Sequence, residues 1–265
     1  GVPNNISIKD AWAIMKESSA VTLPITKEDG QLEGLITTGD IAKSYMDAHD
    51  NYFLSNARTQ YRSIANTVEG TVVTGNSHGY FVKGKVVIGA AHPDKLGEFL
   101  EEDDLVILGD RHEDHLCAIE QNVSCIIVCN HAEVAEDIKM AAEKNQCVVI
   151  QSALDTFTVA RLINQSIPVK HIMKKENLIT FQTDDFTDHI RDIMVKNRHR
   201  AFPVVNKHGK YIGTVSRRNL LGMKKKQLIL VDHNEKTQAV DNIDAAEVLE
   251  IIDHHRLGSL ETLQP

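Results

Sequence analysis

The feature of this sequence that most constrains its fold is an internal repeat. Residues 24–40 and 203–219 align without a gap, and each residue of the first segment lies 179 positions before its counterpart. Two copies of one motif in register predict two copies of one structural unit. The matched pairs are Pro24 and Pro203, Gly30 and Gly209, Gly34 and Gly213, Thr37 and Ser216, and Asp40 and Asn219.

Each copy predicts the same order of secondary structure. Apolar residues at helical spacing predict a helix, and two short apolar runs separated by a polar turn with glycine predict a β-hairpin. After the hairpin, Thr37 in the first copy and Ser216 in the second fit the N-cap of a further helix. The predicted ranges are 8–18, 23–26 and 32–36 in the first copy and 186–197, 202–205 and 211–215 in the second.

The junction between the second strand and the next helix suggests a ligand. The free N–H groups at the start of a helix favour a phosphate. Asp40, three residues after Thr37, is placed to accept hydrogen bonds from two ribose hydroxyls. The alternative is that Thr37 and Asp40 form only a helix cap, but the second copy in register favours a ligand site.

These segments resemble a cystathionine-β-synthase (CBS) domain. The resemblance is carried by residues 23–26 and 34–40 in the first copy and by residues 198–205 and 213–219 in the second. It implies that the copies work as a pair and bind an adenine nucleotide in the cleft between them. The second copy has a lead-in segment, 167–173, whereas that of the first copy would precede residue 1. We therefore expect the chain to begin inside a CBS domain.

The resemblance also implies which residues bind the nucleotide. In the first copy, residues 37–40 form the phosphate and ribose corner, and Val21 either lines a wall of the site or belongs to the core. Ahead of the second copy, Lys174 and Ile179 border the adenine. The full set for both copies is Val21, Thr37, Thr38, Gly39, Asp40, Lys174, Ile179, His199, Arg200, Ala201, Ser216, Arg217 and Asn219.

The second copy departs from the family pattern at its corner. His199 can stack on the base, and Arg200 can pair with a phosphate. Ser216 and Arg217 match the corner, although Arg217 can also be an ordinary solvated side chain, and Asn219 stands where the first copy has aspartate. This asymmetry favours one principal nucleotide per chain, or one that both copies share.

About 100 residues, roughly 63–165, separate the two copies. Continuous apolar runs that alternate with helical segments predict a buried, mostly parallel sheet. The segment is similar to a DRTGG domain through residues 109–111 and 118–124, although His112 and Glu113 replace the Thr-Gly of that motif. The resemblance implies a spacer and dimerisation element. The predicted strands are 105–108, 125–129 and 147–150, and the predicted helices are 133–144 and 155–165.

The loop at 109–114 is rich in ionisable side chains. Its simplest interpretation is a solvated loop with a local ion pair. Four cysteines lie between positions 117 and 147 without a CxxC pair, which favours free, buried thiols over a zinc site. Cys125 and Cys129 flank an apolar run, so both are expected to point into one core.

Charge and hydropathy exclude two classes of partner. The chain has 29 Lys and Arg against 37 Asp and Glu, a formal net charge of −8, which argues against general nucleic-acid binding. It has no apolar stretch of the roughly 20 residues that a membrane-spanning helix needs. The first residues show neither a basic nor an apolar region typical of a signal peptide, so a cytoplasmic location is expected.

The last segment, 227–265, changes character. An apolar strand at 228–231, a helix at 244–249 and a second apolar strand at 251–252 are predicted. Each strand is followed by aspartate and histidine, and ligands gather at the carboxyl ends of strands in open α/β sheets. Mixed carboxylate and imidazole ligands suit hard divalent metals, two of which can neutralise a phosphoryl group.

Residues 231–235 and 252–256 resemble the motifs of the DHH phosphoesterase superfamily, and within it those of the family II inorganic pyrophosphatases. The resemblance implies two Mn²⁺ or Co²⁺ ions that Asp232 bridges and of which His254 binds one. It implies that His255 contacts the substrate and helps protonate the leaving group. The family's other motifs do not occur in these 265 residues, so we expect the chain alone to be inactive.

The order of the segments resembles the CBS–DRTGG–CBS insert that some family II pyrophosphatases carry within their DHH domain. It implies an α/β (α+β) fold: a CBS pair with an inserted α/β DRTGG domain, followed by a fragment of a DHH α/β domain. It also implies inhibition by AMP and ADP, activation by ATP or diadenosine polyphosphates, and a homodimer that forms through the insert. The expected domain limits are 1–62, 63–165, 166–226 and 227–265.

Two other classes of function stay open at this point. The CBS pair can sense another adenosyl ligand, such as S-adenosylmethionine, or act only as a dimerisation scaffold. The tail can belong to a different DHH phosphoesterase, for example one that acts on polyphosphate or cyclic dinucleotides.

Overall fold

The computed structural model describes residues 1–46, 50–221, 224–232, 234–235, 239–240 and 243–254. They form two compact units. Unit 1 consists of Gly1–Leu178 with Lys207–Tyr211, and unit 2 consists of Ile179–Asn206 with the described residues from Ile212 onward. Unit 1 therefore holds the first copy of the repeat and the long insert, and unit 2 holds most of the second copy and the tail.

The first copy folds as the sequence predicts. Helix α1 begins after Ser7, whose hydroxyl accepts a hydrogen bond from the Asp10 backbone N–H at 3.0 Å. Its apolar face, with Ala11 and Met15, packs on the following hairpin around Ile25. The elements are β1 (Val2–Pro3), α1 (Ile8–Ser18), β2 (Thr22–Thr26), β3 (Leu32–Thr37) and α2 (Thr38–Met46).

The sheet of the first copy has the order β1-β2-β3, in which β1 is parallel and β3 antiparallel to β2. Gly30 closes the hairpin turn at φ +83°, a left-handed conformation that glycine adopts without steric cost. In β1, Val2 pairs with Ile25 of β2.

The insert is a five-stranded sheet with helices on both faces. Its strand order is β5-β10-β9-β8-β7, and only the β5–β10 pair is antiparallel, so the predicted mostly parallel sheet is confirmed. Strands β4 and β6 form a separate two-stranded sheet. The elements are α3 (Phe53–Asn56), β4 (Thr59–Gln60), α4 (Tyr61–Thr67), β5 (Gly70–Thr74), β6 (Tyr80–Phe81), β7 (Val86–Ile88), α5 (Pro93–Leu96), β8 (Leu105–Leu108), α6 (His112–Glu120), β9 (Cys125–Val128), α7 (Glu136–Lys144), β10 (Val148–Ser152) and α8 (Thr156–Leu162).

Strands β8 and β9 are buried on both faces, which is why they have no polar positions. Leu105 and Ile107 of β8 join one apolar cluster, with α4 and α8, whereas Val106 and Leu108 join the other, with α6 and α7. The alternation follows from the two-residue period of a strand. Strand β8 coincides with the predicted range, and helices α7 and α8 are shorter than predicted.

All four cysteines are free, as predicted. Cys125 and Cys129 contribute to the same apolar cluster, which confirms that they point into one core. Cys147 belongs to the opposite cluster, and Cys117 is partly exposed.

The loop at 109–114 is shorter and less solvated than expected. Helix α6 already begins at His112, and Asp114 and His115 are buried. The predicted ion pair is present, since Arg111 Nε lies 2.8 Å from Asp114 Oδ2. His115 Nε2 is 2.9 Å from the Gly109 carbonyl oxygen. These contacts hold the first turn of α6 in place, because a buried charged side chain is stable only where it has a partner.

The segment that was expected to lead into the second copy packs against the first. The Ile8 N–H donates to the Ile167 carbonyl at 3.0 Å, and the Val169 N–H donates to Ile6 at 2.9 Å. Leu35 and Lys174 exchange two backbone hydrogen bonds, at 2.9 and 2.8 Å. Short 3₁₀ helices, Ile163–Ser166 and Val169–His171, connect this segment to the insert. The chain thus returns to the first copy before it enters the second.

The turns of the two hairpins meet within unit 1. The Leu32 N–H donates to the Gly209 carbonyl at 3.1 Å, and the Tyr211 N–H donates to the Gly30 carbonyl at 3.0 Å. Leu32 and Tyr211 are matched positions of the repeat, and so are Gly30 and Gly209. The two turns therefore exchange equivalent backbone hydrogen bonds.

Unit 2 repeats the fold of the first copy. Its sheet has the order β11-β12-β13, and Phe181 pairs with Val204 as Val2 pairs with Ile25, again 179 residues on. The rings of Phe181 and Phe202 lie 5.4 Å apart in its core. The elements are β11 (Phe181–Gln182), α9 (Thr187–Lys196), β12 (Ala201–Val205), β13 (Tyr211–Ser216) and α10 (Arg217–Leu221).

The tail forms a parallel pair of strands, β14 (Lys226–Val231) and β15 (Ala246–Ile252). The helix predicted at 244–249 is wrong, since a 3₁₀ helix, Ile243–Ala245, leads directly into β15. Pairing with β14 along the whole strand outweighs the local helical spacing, as tertiary context does for short segments. Among the described residues, no helix is long and apolar enough to cross a membrane.

Substitution of Asp104 tests which interactions stabilise the insert. Its fully buried carboxylate accepts the Lys85 and Glu101 backbone N–H groups, both at 2.9 Å, and lies 3.4 Å from Lys85 Nζ. Asp104→Ala leaves these donors without partners and should lower the free energy of unfolding by about 3 kcal/mol. The measurement is urea denaturation. The exposed control Asp94→Ala should change stability by about 0.5 kcal/mol or less. Equal effects of the two variants would contradict the assignment.

The thiols provide a second test. Burial raises the pKa of all four thiols, that of Cys129 to about 11 and that of Cys147 to about 12, and the three thiols other than Cys117 are also closed to a reagent. Only a thiolate reacts readily with a disulfide reagent, so the partly exposed Cys117 should react first in the native chain at pH 8. Mass spectrometry should find one label before unfolding and four in guanidinium. Cys117→Ser should abolish the native label, and a second rapid label would argue against the buried placement.

Candidate functional sites

The predicted corner of the first copy is formed where β3 runs into α2. The Asp40 N–H donates to Thr37 Oγ1 at 3.2 Å, which confirms Thr37 as the N-cap. In return, Asp40 Oδ2 accepts the Thr37 backbone N–H at 2.8 Å and its hydroxyl at 2.6 Å. One carboxylate oxygen of Asp40 therefore completes the cap, and the other, Oδ1, is left outside the cap's hydrogen bonds.

Lys174 lies beside this carboxylate. Its Nζ is 3.5 Å from Asp40 Oδ1, and its backbone is fixed by the two hydrogen bonds to Leu35. Gly34 permits this approach, because a Cβ there would lie 2.7 Å from the Lys174 carbonyl oxygen. The fold thus brings together two predicted site residues that are far apart in sequence.

The other predicted residues of the first copy surround the same corner. The Thr38 N–H donates to the Val21 carbonyl at 3.2 Å, so the start of β2 and the start of α2 are joined. Val21 is 36% exposed and not part of the core, in contrast to the alternative considered for it. A Cβ at Gly39 would meet only Thr37 Oγ1, at 3.5 Å, so packing does not require glycine there.

The corner of the second copy has the same local geometry. Asn219 Oδ1 accepts the Ser216 backbone N–H at 2.9 Å and the Ser216 hydroxyl at 2.6 Å. Asn219 and the neighbouring Arg217 and Arg218 are exposed. The offset of the repeat therefore extends to the side-chain hydrogen bonds.

Arg217 has a structural partner. Its Nη2 donates to the carbonyl oxygens of Met194 and Asn197, the latter at 2.6 Å, at the end of α9. A cation at a helix C-terminus satisfies free carbonyl groups and complements the helix dipole. Arg217 thus ties α10 to α9, a role that the sequence pattern did not indicate.

The remaining second-copy residues lie around β12. The ring of His199 packs edge-on against Phe202, with centroids 5.9 Å apart. Ile179 is half-buried against the core that contains Phe202. Arg200 is exposed just before the first residue of β12, Ala201.

The predicted metal ligands also come together in unit 2. Strands β14 and β15 are parallel, so their carboxyl ends meet, and Asp232 Oδ1 lies 3.1 Å from His254 Nδ1. With Asp253, these residues place one ligand atom each within 4.8 Å of one another. Two carboxylates and an imidazole fit a divalent ion such as Mn²⁺ or Co²⁺. His255, the predicted catalytic residue, lies outside the described residues.

Asp253 was not among the predicted ligands. Its side chain is 5% exposed, and its Oδ2 accepts a hydrogen bond from Asn234 Nδ2 at 2.7 Å. The signal that could have found it is its place as the first residue after the strand, equivalent to that of Asp232. The Asn234–Asp253 bond joins the two loops that carry Asp232 and His254.

Two domain families match the chain. Residues 63–166 match the DRTGG domain, and residues 2–47 and 169–225 match the CBS domain. Among named proteins, the chain is 36% identical over 260 residues to a cobalt-dependent inorganic pyrophosphatase of Clostridium perfringens, which covers 98% of the chain and 47% of that protein. It is 31% identical over 264 residues to a probable manganese-dependent inorganic pyrophosphatase of Thermotoga maritima, which covers 100% and 48%. The chain spans about half the length of these relatives.

One solved structure matches with a TM-score of 0.77 and 32% identity, over 82% of this chain and 94% of the other. It comprises the CBS and DRTGG domains of the regulatory region of the C. perfringens pyrophosphatase, complexed with the activator diadenosine tetraphosphate. This structure agrees with the chain in the order of its domains, in its fold and at 32% sequence identity. The chain belongs to the CBS–DRTGG family of pyrophosphatase regulatory regions.

Proposed function

We propose that this chain is the adenine-nucleotide-binding regulatory region of an inorganic pyrophosphatase, joined to part of its DHH domain. AMP and ADP inhibit the hydrolysis of pyrophosphate to phosphate by the whole protein, and ATP or diadenosine polyphosphates activate it. The observation that carries the proposal is the likeness, at 32% identity, to a regulatory region that is complexed with diadenosine tetraphosphate. The Asp40 corner supports it with a carboxylate oxygen, Oδ1, that the helix cap does not use and that lies 3.5 Å from Lys174 Nζ.

In this proposal twelve of the thirteen predicted residues contact the nucleotide, and Arg217 supports them. Asp40 Oδ1 accepts the ribose hydroxyls, and Lys174, whose Nζ lies 3.5 Å from it, borders the adenine. Val21 and residues 37–39 complete the first corner. In the second copy, the adenine lies near Ile179 and His199, while Arg200, Ala201, Ser216 and Asn219 contact sugar or phosphate. Arg217 supports the corner through α9.

Regulation requires two states of the protein that bind the ligands with different affinity. A ligand shifts the equilibrium between such states only by its difference in binding free energy. We propose that the states differ within a homodimer formed by the CBS and DRTGG domains. The proposed domain limits are 62/63, 165/166 and 226/227.

The metal site belongs to the catalytic part of the proposal. Asp232 and His254 would hold Mn²⁺ or Co²⁺, and the ions would neutralise charge on the phosphoryl group. Asp253 holds the loop of His254 through Asn234, which orients the imidazole. His255 would contact the substrate and protonate the leaving group.

Calorimetry with AMP tests the sensor proposal. The 265-residue chain should bind AMP, and Asp40→Ala should weaken binding by about tenfold or more, since it removes hydrogen bonds to a charged acceptor. The matched control is Glu143→Ala, an exposed carboxylate on α7, which should leave the affinity unchanged. If millimolar AMP produces neither a heat of binding nor a shift in the unfolding temperature, the proposal is wrong. An unchanged affinity in Asp40→Ala would place the nucleotide elsewhere.

Metal binding tests the enzymatic part. Pyrophosphate hydrolysis by the full-length protein should require Mn²⁺ or Co²⁺, and Asp232→Asn should lower both metal affinity and activity by about 100-fold or more. The matched control is Glu250→Gln, an exposed position in β15, with no change expected. The 265-residue chain itself should release no phosphate. A full-length protein that prefers polyphosphate or cyclic dinucleotides over pyrophosphate would contradict the proposed substrate.

A further inference from the structure

A cavity of about 680 Å³ lies within unit 1, and neither proposed site accounts for it. Its walls are α1, α2, α3 and the segment 163–172, which returns from the insert to the first copy. The volume falls within the roughly 300–1,000 Å³ that is typical of small-molecule sites. Of the thirteen residues predicted to bind the nucleotide, Thr38 alone lines it. The cavity therefore needs an explanation of its own.

Three aromatic side chains from three helices line the cavity. Trp12 of α1 and Tyr45 of α2 are 48% and 46% exposed, and Phe53 of α3 is half-buried. None of these rings packs against another aromatic ring among the described residues. Large aromatic side chains stabilise a complex most when a ligand covers them, so their exposure around one cavity favours a ligand with a flat apolar surface.

The wall formed by residues 163–172 is polar. The side-chain amides of Asn164 and Gln165 are half-buried there, and neither forms a hydrogen bond within the part of the chain that the structure describes. The Tyr45 hydroxyl, in contrast, donates to the Arg161 carbonyl at 3.4 Å. An amide offers both N–H donors and an acceptor oxygen, so this wall suits a ligand edge that carries a donor and an acceptor.

The cavity lining carries no charge among the described residues. It contains no lysine, arginine, aspartate or glutamate, and its one histidine is His171. Burial, together with the positive charge of Lys170, holds the pKa of His171 below its usual value, so the imidazole is neutral at pH 7. Burying an unpaired charge costs far more free energy than burying an amide. The lining thus selects against ions, including the phosphate of a nucleotide.

We infer that this cavity is a further ligand site of the chain, which binds an uncharged aromatic molecule whose edge carries both a hydrogen-bond donor and an acceptor. The ring lies among the three aromatic side chains, and the edge pairs with the amides of Asn164 and Gln165. The site is separate from the proposed nucleotide site, since Asp40 and Lys174 do not line it. Its walls come from the first copy and from the insert, so the ligand contacts both.

Trp12 is the only tryptophan of the chain, so its fluorescence reports on this cavity. Benzamide is the probe, because it combines an aromatic ring with one amide and carries no charge. In a titration of the 265-residue chain, millimolar benzamide should change the Trp12 emission until the change saturates. Benzoate and benzamidinium have nearly the same shape but carry a charge, and they should bind at least about tenfold more weakly.

Two variants assign the fluorescence change to the cavity. Asn164→Ala should weaken benzamide binding about fivefold through the loss of a hydrogen bond, whereas the exposed control Asn5→Ala should not. Ala42→Phe fills the cavity and should abolish binding. Its matched control is Ala13→Phe, exposed on α1 and outside the lining, with no change expected. Ala42 is also exposed, so its variant should fold, which thermal unfolding checks.

Equal affinities for the neutral and the charged probes, or unchanged benzamide binding in either cavity variant, would overturn the site. Absence of a saturable change at millimolar benzamide would do the same. If the Trp12 emission shifts with protein concentration and benzamide does not alter it, a second copy of the chain covers the cavity and the inference is wrong. AMP binding decides the proposed function separately from all of these outcomes.

Discussion

The two backbone hydrogen bonds between Leu35 and Lys174 are the constraint on which the arrangement of unit 1 depends. A domain of about 100 residues is inserted between the two copies, and its far end has to return to the first copy. The bonds from Ile8 and Val169 to the returning chain, together with the Leu35–Lys174 pair, hold that end in place. Because the chain is fixed at Lys174, the side chain of this residue reaches Asp40.

The sequence predicted what is local and periodic, and it did so because those features depend on near neighbours. Helix α1, strand β8 and both hairpins follow from apolar spacing and turn glycines. The helix expected at 244–249 is a strand instead, since its partner β14 lies about 20 residues away and no local pattern reports it. For the same reason, the sequence did not predict that residues 167–174 pack against the first copy.

The candidate sites show the same limit. The Thr37–Asp40 cap is local and was predicted, together with the convergence of Asp232 and His254 at the ends of parallel strands. The Lys174–Asp40 contact and the partly buried Asn234–Asp253 bond depend on pairings between distant segments. Arg217 fits the sequence motif of a corner, but its guanidinium donates to a carbonyl oxygen at the end of α9. A sequence motif identifies a position, but the residues that surround it in the fold determine which contacts its side chain makes.

The short connection between α10 and β14 limits how far the second-copy corner and the metal site can separate. Leu221 ends α10 and Lys226 begins β14, so their Cα atoms cannot be more than about 18 Å apart even if the chain between them is fully extended. Strand β14 then leads without interruption to Val231, next to Asp232. The helix that contains Asn219 and the strand that leads to Asp232 are thus joined by a linker of limited maximum length.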